Sequence, residues 1–283
     1  MALAPRERFV RNTNGKRMFV ADWGDPHHPR PPILGLPGYS RNAKDFRHLA
    51  ERLAPRRLVS LDYRGRGRSE YEHDWRAYDP QTLLDDVRHV LIALGLHKVV
   101  VVGTSLGGIL AMGLAVAAPT ALAGVVLNDV GPMVEPAGAD YLLDYMGRDR
   151  PQNNWNGAIA ELRRLLPDLS LHTDDAWRAF AENTFRQGDD GMLHIDWDPA
   201  IVKPLTDDTA PAQDLWPLFG ALRPIPVLVM RGGKSAVLSA DTLAAMQTRH
   251  PAMTALTLDG VGHAPTLDEP EARGALDDFL IAH

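Results

Sequence analysis

Gly103-Thr104-Ser105-Leu106-Gly107-Gly108 sets a serine among glycines at the junction of two apolar stretches. Val99 to Val102 reads as a buried strand and Ile109 to Ala118 as a helix, so Ser105 stands at the apex of a strand–turn–helix. Small flanking residues let the chain turn tightly and expose the serine oxygen, as nucleophilic acyl chemistry requires. The plainer reading is a glycine-rich turn, of the kind that binds phosphate. Against it, no lysine follows the glycines, and their spacing fits neither a P-loop nor Gly-x-Gly-x-x-Gly.

A serine hydroxyl is a weak nucleophile and needs a base, for which histidine is the default. Of 11 histidines, His263 has the best address, in Gly260-Val261-Gly262-His263-Ala264-Pro265, after the last strand signal and before the terminal helix. A loop at the C-terminal end of a parallel strand shares a rim with Ser105. His27 and His28 sit in a proline-rich turn, and His89 and His97 flank a surface helix. The tetrahedral intermediate also needs N–H donors for its oxyanion. Leu106, next after the serine, supplies one. The turn Pro37-Gly38-Tyr39, after the apolar run Ile33 to Leu36, would present the Tyr39 N–H as the second.

With these pieces the chain resembles the α/β-hydrolase superfamily, in particular its capped bacterial esterase-like and lactonase-like serine hydrolases. The resemblance rests on Leu36-Pro37-Gly38-Tyr39, on Asp62-Tyr63-Arg64-Gly65-Arg66-Gly67-Arg68-Ser69, on Gly103 to Gly108 and on Gly260 to His263, and spans nearly the whole chain. It implies a triad of serine, histidine and a carboxylate that orients the histidine. It also implies that this acid follows the strand Val227 to Met230, where the loop Arg231 to Ser239 has Ala236 in the expected place of an aspartate. Some members take the acid from the end of the preceding strand, about two dozen residues after the nucleophile, and there this chain has Asp129. Two readings stay open: Asp129 is the relocated acid, or it caps a turn and Ala236 marks an impaired site.

These groups must be carried by a scaffold, and the apolar runs provide one. Pro31 to Leu36, Leu58 to Leu61, Val99 to Val102, Gly124 to Leu127, Pro226 to Met230 and Met253 to Leu258 read as strands. Helical patterns over Asp79 to Leu94, Leu106 to Ala118, Ala240 to Arg249 and after Pro270 alternate with them. The expected fold is α/β, a doubly wound and mostly parallel sheet. The rhythm breaks over 131–222, which holds four of the six tryptophans and reads as a helical cap on a core formed by 1–130 and 223–283. Trp155 and Trp197 are candidates to face an apolar substrate from that cap.

Composition narrows the function. With 283 residues, a net charge of −6 and no basic run, nothing suggests nucleic acid or an anionic membrane surface as partner. The absence of cysteine removes thiolate chemistry, disulfides and Cys-ligated zinc. No secretory signal or membrane span is evident, so a cytoplasmic location is expected. The reading is a cofactor-independent serine hydrolase cleaving an ester or lactone of a small, largely apolar molecule, with a homodimer as the candidate assembly. Two alternatives accompany it: a carbon–carbon bond hydrolase on the same triad, and a catalytically impaired ligand sensor.

Overall fold

This computed structural model describes residues 3–133, 143, 145–206 and 214–283. In chain order its strands are β1 (Arg6–Arg11), β2 (Arg17–Trp23), β3 (Ile33–Leu36), β4 (Leu58–Leu61), β5 (Val99–Thr104), β6 (Leu122–Asn128), β7 (Phe185–Gln187), β8 (Leu193–Ile195), β9 (Val227–Gly232) and β10 (Thr254–Leu258). The helices are α1 (Arg47–Leu53), α2 (Pro80–Ala93), α3 (Leu106–Ala117), α4 (Trp155–Leu165), α5 (Asp174–Thr184), α6 (Trp216–Gly220), α7 (Ala240–Arg249) and α8 (Pro270–Ala282). Eight strands form one sheet in the order β1-β2-β4-β3-β5-β6-β9-β10. The pairs β1–β2 and β2–β4 are antiparallel and the rest are parallel.

The apolar runs became strands because both faces are covered. One face carries Leu83 and Val87 of α2, Leu110 and Leu114 of α3, and Met246 of α7. The other carries Leu49 and Ala50 of α1 with Leu276 and Leu280 of α8. α3 is apolar nearly all round, so it can only lie buried between sheet and neighbouring helices. α2 starts where Asp79 accepts from the N–H groups of Gln81 and Thr82, with Pro80 in the first turn.

Two features lay outside the sequence reading. The β1–β2 hairpin extends the sheet at its N-terminal edge, and within β1 only Val10 is buried, so this strand has no apolar run to betray it. The span 131–222 is helical in α4, α5 and α6 but also holds the small antiparallel pair β7–β8. α4, α5, β7 and β8 share a third apolar cluster that includes Leu162, Trp177, Phe185 and Trp197, whereas Phe219 of α6 packs into the cluster on the α2 and α3 face of the sheet. Within that span, 134–142, 144 and 207–213 lie outside the described residues. Among the described residues no helix is long and apolar enough to cross a membrane.

The strand order reverses between β3 and β5, and in such sheets the loops leaving the two strands diverge to open a crevice. The turn after β3 and the serine after β5 flank it. How closely α3 sits there is set by Gly107: a Cβ on it would lie 2.0 Å from the Leu36 carbonyl oxygen at the end of β3. Gly107→Ala must therefore push α3 off β3. We expect a loss of about 3 kcal/mol in stability, read as a lower denaturant midpoint. An unchanged midpoint would show that the helix can shift freely.

Candidate active site

The path from β5 into α3 forces Ser105 to φ 53° and ψ −117°, a left-handed conformation that costs a non-glycine residue on the order of 1–3 kcal/mol. The surrounding backbone holds it there. The Ser105 N–H donates to the Asn128 carbonyl at 3.0 Å, and the Ser105 carbonyl accepts from the Gly108 N–H at 2.8 Å. Gly103 is required because a Cβ there would lie 2.4 Å from the Gly107 carbonyl oxygen. The small residues around the serine are thus what allows strand and helix to meet at this angle.

Asp129 follows β6, the strand beside β5. It too has positive φ, at 57°, and its N–H donates to the Met230 carbonyl at 2.7 Å. Its side chain is fully buried. Oδ1 accepts from the Gly232 N–H at 2.9 Å, and Oδ2 lies 2.7 Å from His263 Nδ1. His263 Nε2 in turn lies 3.0 Å from Ser105 Oγ. An ionised carboxylate can only accept, so Nδ1 carries the proton and Nε2 is free to accept from the serine hydroxyl. Both carboxylate oxygens have partners, so the buried charge is compensated. Ala236, by contrast, is exposed on the loop after β9.

The His263 loop is pinned at several points. The Val261 carbonyl accepts from the Lys234 N–H, and the Gly262 N–H donates to the Asp168 carbonyl, each at 2.8 Å. Asn128 Nδ2 donates to the Pro265 carbonyl at 2.9 Å. The Glu269 carboxylate accepts from the Thr266 N–H at 2.8 Å and from the Ser170 hydroxyl. Asp168 and Ser170 lie between α4 and α5, so the 131–222 region helps to fix the histidine.

Leu106 is the first residue of α3, where an N–H has no acceptor within the helix. The turn after β3 passes close by: a Cβ on Gly38 would lie 3.9 Å from Ser105 Cβ. Tyr39 is braced from behind, its carbonyl accepting from Arg66 Nε at 2.8 Å and its hydroxyl donating to the Ile201 carbonyl at 3.0 Å. Arg66 is fully buried, and burial lowers its pKa against the opposing pull of the tyrosines around it. Its turn is organised by Asp62, which accepts from the Ala43 and Arg68 N–H groups at 2.8 Å. Burial pushes the Asp62 carboxyl up to about 6, against those two hydrogen bonds. The Asp62 to Ser69 segment is therefore scaffold, with the turn after β3 resting on it.

Ser105 and His263 open into a cavity of about 240 Å³ between the sheet and the 131–222 region. Its walls are largely apolar, with Phe46, Met146, Leu169 and Phe180 among them. Tyr39 also lines it, but Trp155 and Trp197 do not. Trp197 is 2% exposed, donates from Nε1 to the Met146 carbonyl at 2.9 Å and packs behind Tyr145. Trp155 stacks beneath the Arg178 guanidinium, 4.6 Å from its ring centre. Both aromatics are packing for the region rather than walls of the cavity. Sequence reading passed over the polar residues Ser40, Arg41 and Tyr145, which do line it and have no motif around them.

Comparisons with known proteins agree with this architecture. The model of the alpha/beta hydrolase family matches residues 33–275. The chain is 32% identical to the 3-hydroxybutyrate-oligomer hydrolase of Cupriavidus necator, over 95% of this chain and 96% of that protein. It is 26% identical to the 2-(acetamidomethylene)succinate hydrolase of Mesorhizobium japonicum, over 89% and 88% of the two chains. Among solved structures, an alpha/beta hydrolase from Novosphingobium aromaticivorans superposes with a TM-score of 0.92 at 39% identity, covering 99% of each chain. With the sheet order, the turn at Ser105 and a family match over most of its length, this chain belongs to the alpha/beta hydrolase family.

Proposed function

We propose that the protein is a serine hydrolase that cleaves an ester of a small, largely apolar acid through an acyl-enzyme intermediate. The observation that carries this reading is the continuous relay Asp129–His263–Ser105, with contacts of 2.7 and 3.0 Å, opening into the cavity. Ser105 Oγ attacks the carbonyl carbon while His263 Nε2 takes its proton, and Asp129 holds the imidazolium that forms. The N–H groups of Leu106 and Tyr39 receive the oxyanion. The protonated His263 then gives its proton to the leaving alkoxide. In the second half, His263 deprotonates a water that attacks the acyl carbon, and Ser105 regains its proton as the acid departs.

The apolar walls and modest volume support a short acyl chain. The name of the Cupriavidus relative supports a hydroxyacyl oligoester as the substrate type, and a lactone is the cyclic form of the same bond. The impaired-sensor alternative drew on Ala236, and the contact of Asp129 with His263 supports the relocated acid instead. In the same reading, 131–222 acts as a cap that shapes the acyl side of the site. The test is chemical. An alkyl phosphonate should label one serine per chain, mapped by mass spectrometry to Ser105, and short p-nitrophenyl esters should turn over repeatedly. Labelling elsewhere, or binding without turnover, would sink the proposal.

A further inference from the structure

The largely apolar cavity holds one ion pair in its wall. A Cβ on Gly38 would lie 3.3 Å from Arg41 Cγ and 3.9 Å from Ser105 Cβ, so the Arg41 side chain leaves the backbone next to Ser105. Its guanidinium grips Asp45 through Nε at 2.7 Å and Nη2 at 2.6 Å, donates from Nη1 to Thr184 Oγ1 at 2.6 Å and lies 4.2 Å from the centre of the Phe180 ring. Both members of the pair line the cavity and keep accessible surface, 12% of the Arg41 side chain and 27% of that of Asp45. Burial disfavours the guanidinium charge, but Asp45 and Tyr145 outweigh it and keep Arg41 firmly protonated.

This pairing leaves the cavity without a free positive charge. Arg41 is the only lysine or arginine of the described lining, and Asp45 matches it. The half-exposed His48 faces Glu51 at 3.8 Å, and His263 faces Asp129. The remaining charged residue of the lining is Asp268, an exposed acid. The internal stretches outside the described residues, 134–142, 144 and 207–213, contain acids but no lysine, arginine or histidine, so wherever they lie they bring no basic side chain. A carboxylate entering this space would exchange its hydration for apolar walls and no counter-charge.

Resting on the ester-hydrolase reading, we propose that the Arg41–Asp45 pair determines specificity by charge: Asp45 neutralises the one cation beside Ser105, so the site takes neutral acyl groups and refuses those that carry a second, free carboxylate. Without Asp45, the same guanidinium would be a carboxylate clamp in the cavity wall. The matched charge acts on the product as well. The acid released from Ser105 is an anion, and no unmatched cation holds it back from leaving.

Two esters with the same acyl chain test this at about pH 8, where a free carboxyl is ionised: p-nitrophenyl methyl adipate, which is neutral, and p-nitrophenyl hydrogen adipate, which is an anion. The ratio of kcat/KM, neutral over anionic, should be about tenfold or more in the native protein. Asp45→Asn, which leaves the Arg41 charge unmatched, should lower that ratio by about tenfold, whereas Arg41→Gln, which leaves the Asp45 charge unmatched, should raise it. Opposite signs are the mark of charge, because damage to packing moves both variants the same way. The ratio is taken within one preparation, so a partly unfolded fraction cancels, and Asp45→Ala serves if Asp45→Asn does not fold. A native ratio below tenfold, or variants that leave it unmoved or shift it in one direction, overturns the role of the pair while the hydrolase reading stands. No turnover of the neutral ester by the native protein overturns the hydrolase reading and this inference with it.

Discussion

Ser105→Ala is expected to abolish phosphonate labelling and to lower kcat on p-nitrophenyl butyrate by on the order of 10⁶-fold. The size follows from the chemistry: without Oγ no acyl-enzyme can form, and what remains is a pocket with two N–H donors. Because Ser105 holds φ 53° through its backbone hydrogen bonds and not through its side chain, alanine can occupy the same turn at little additional cost. Thermal unfolding should therefore be close to that of the native protein and cavity ligands should still bind. Residual turnover within a hundredfold of native would place the nucleophile elsewhere.

Asp129→Asn should lower kcat by about 10⁴-fold, or roughly 5.5 kcal/mol of transition-state stabilisation. An amide at this position can donate to His263 Nδ1, which favours the tautomer with its proton on Nε2, where it cannot accept from Ser105. The same variant tests the alternative site, since an aspartate placed at Ala236 would enter an exposed loop while His263 Nδ1 already faces the Asp129 carboxylate. Ala236→Asp should thus change kcat less than threefold in the native background. The opposite pattern, a silent Asp129→Asn with strong activation by Ala236→Asp, would mean that the contact at 2.7 Å is structural and that the working acid has been lost.

Much of this site is legible in the sequence because its parts are local. A buried strand, a glycine-flanked serine and a helix are contiguous, and each step of that path leaves a compositional trace. The turn after β3 and the His263 loop are legible for the same reason. Asp129 is different: nothing near it announces a catalytic acid, and it attracts attention only because Ala236 occupies the expected place. The expectation for Trp155 and Trp197 failed because large aromatics inside a small helical layer look alike whether they face a cavity or one another. That choice is made by packing among segments distant in sequence, such as Met146 against Trp197. Tyr145 and Arg41 escaped notice because a single polar residue carries no period. β1 escaped because an edge strand with one buried side chain has no hydrophobic pattern to read.

In the proposed relay, an acid at the end of β6 has a consequence for how such a chain can be inherited and rearranged. Ser105 and Asp129 follow neighbouring strands joined by one helix, so Ser105 to Asp129 is a contiguous cassette and only His263 comes from afar. The loop 233–239 is held by the Gly233 N–H on the Leu258 carbonyl, by Lys234 on the Val261 carbonyl and the Asp168 carboxylate, and by the buried side chains of Val237 and Leu238. Its exposed tip at Ala236 carries none of these contacts, so in that reading insertions there would leave Asp129, His263 and Ser105 undisturbed.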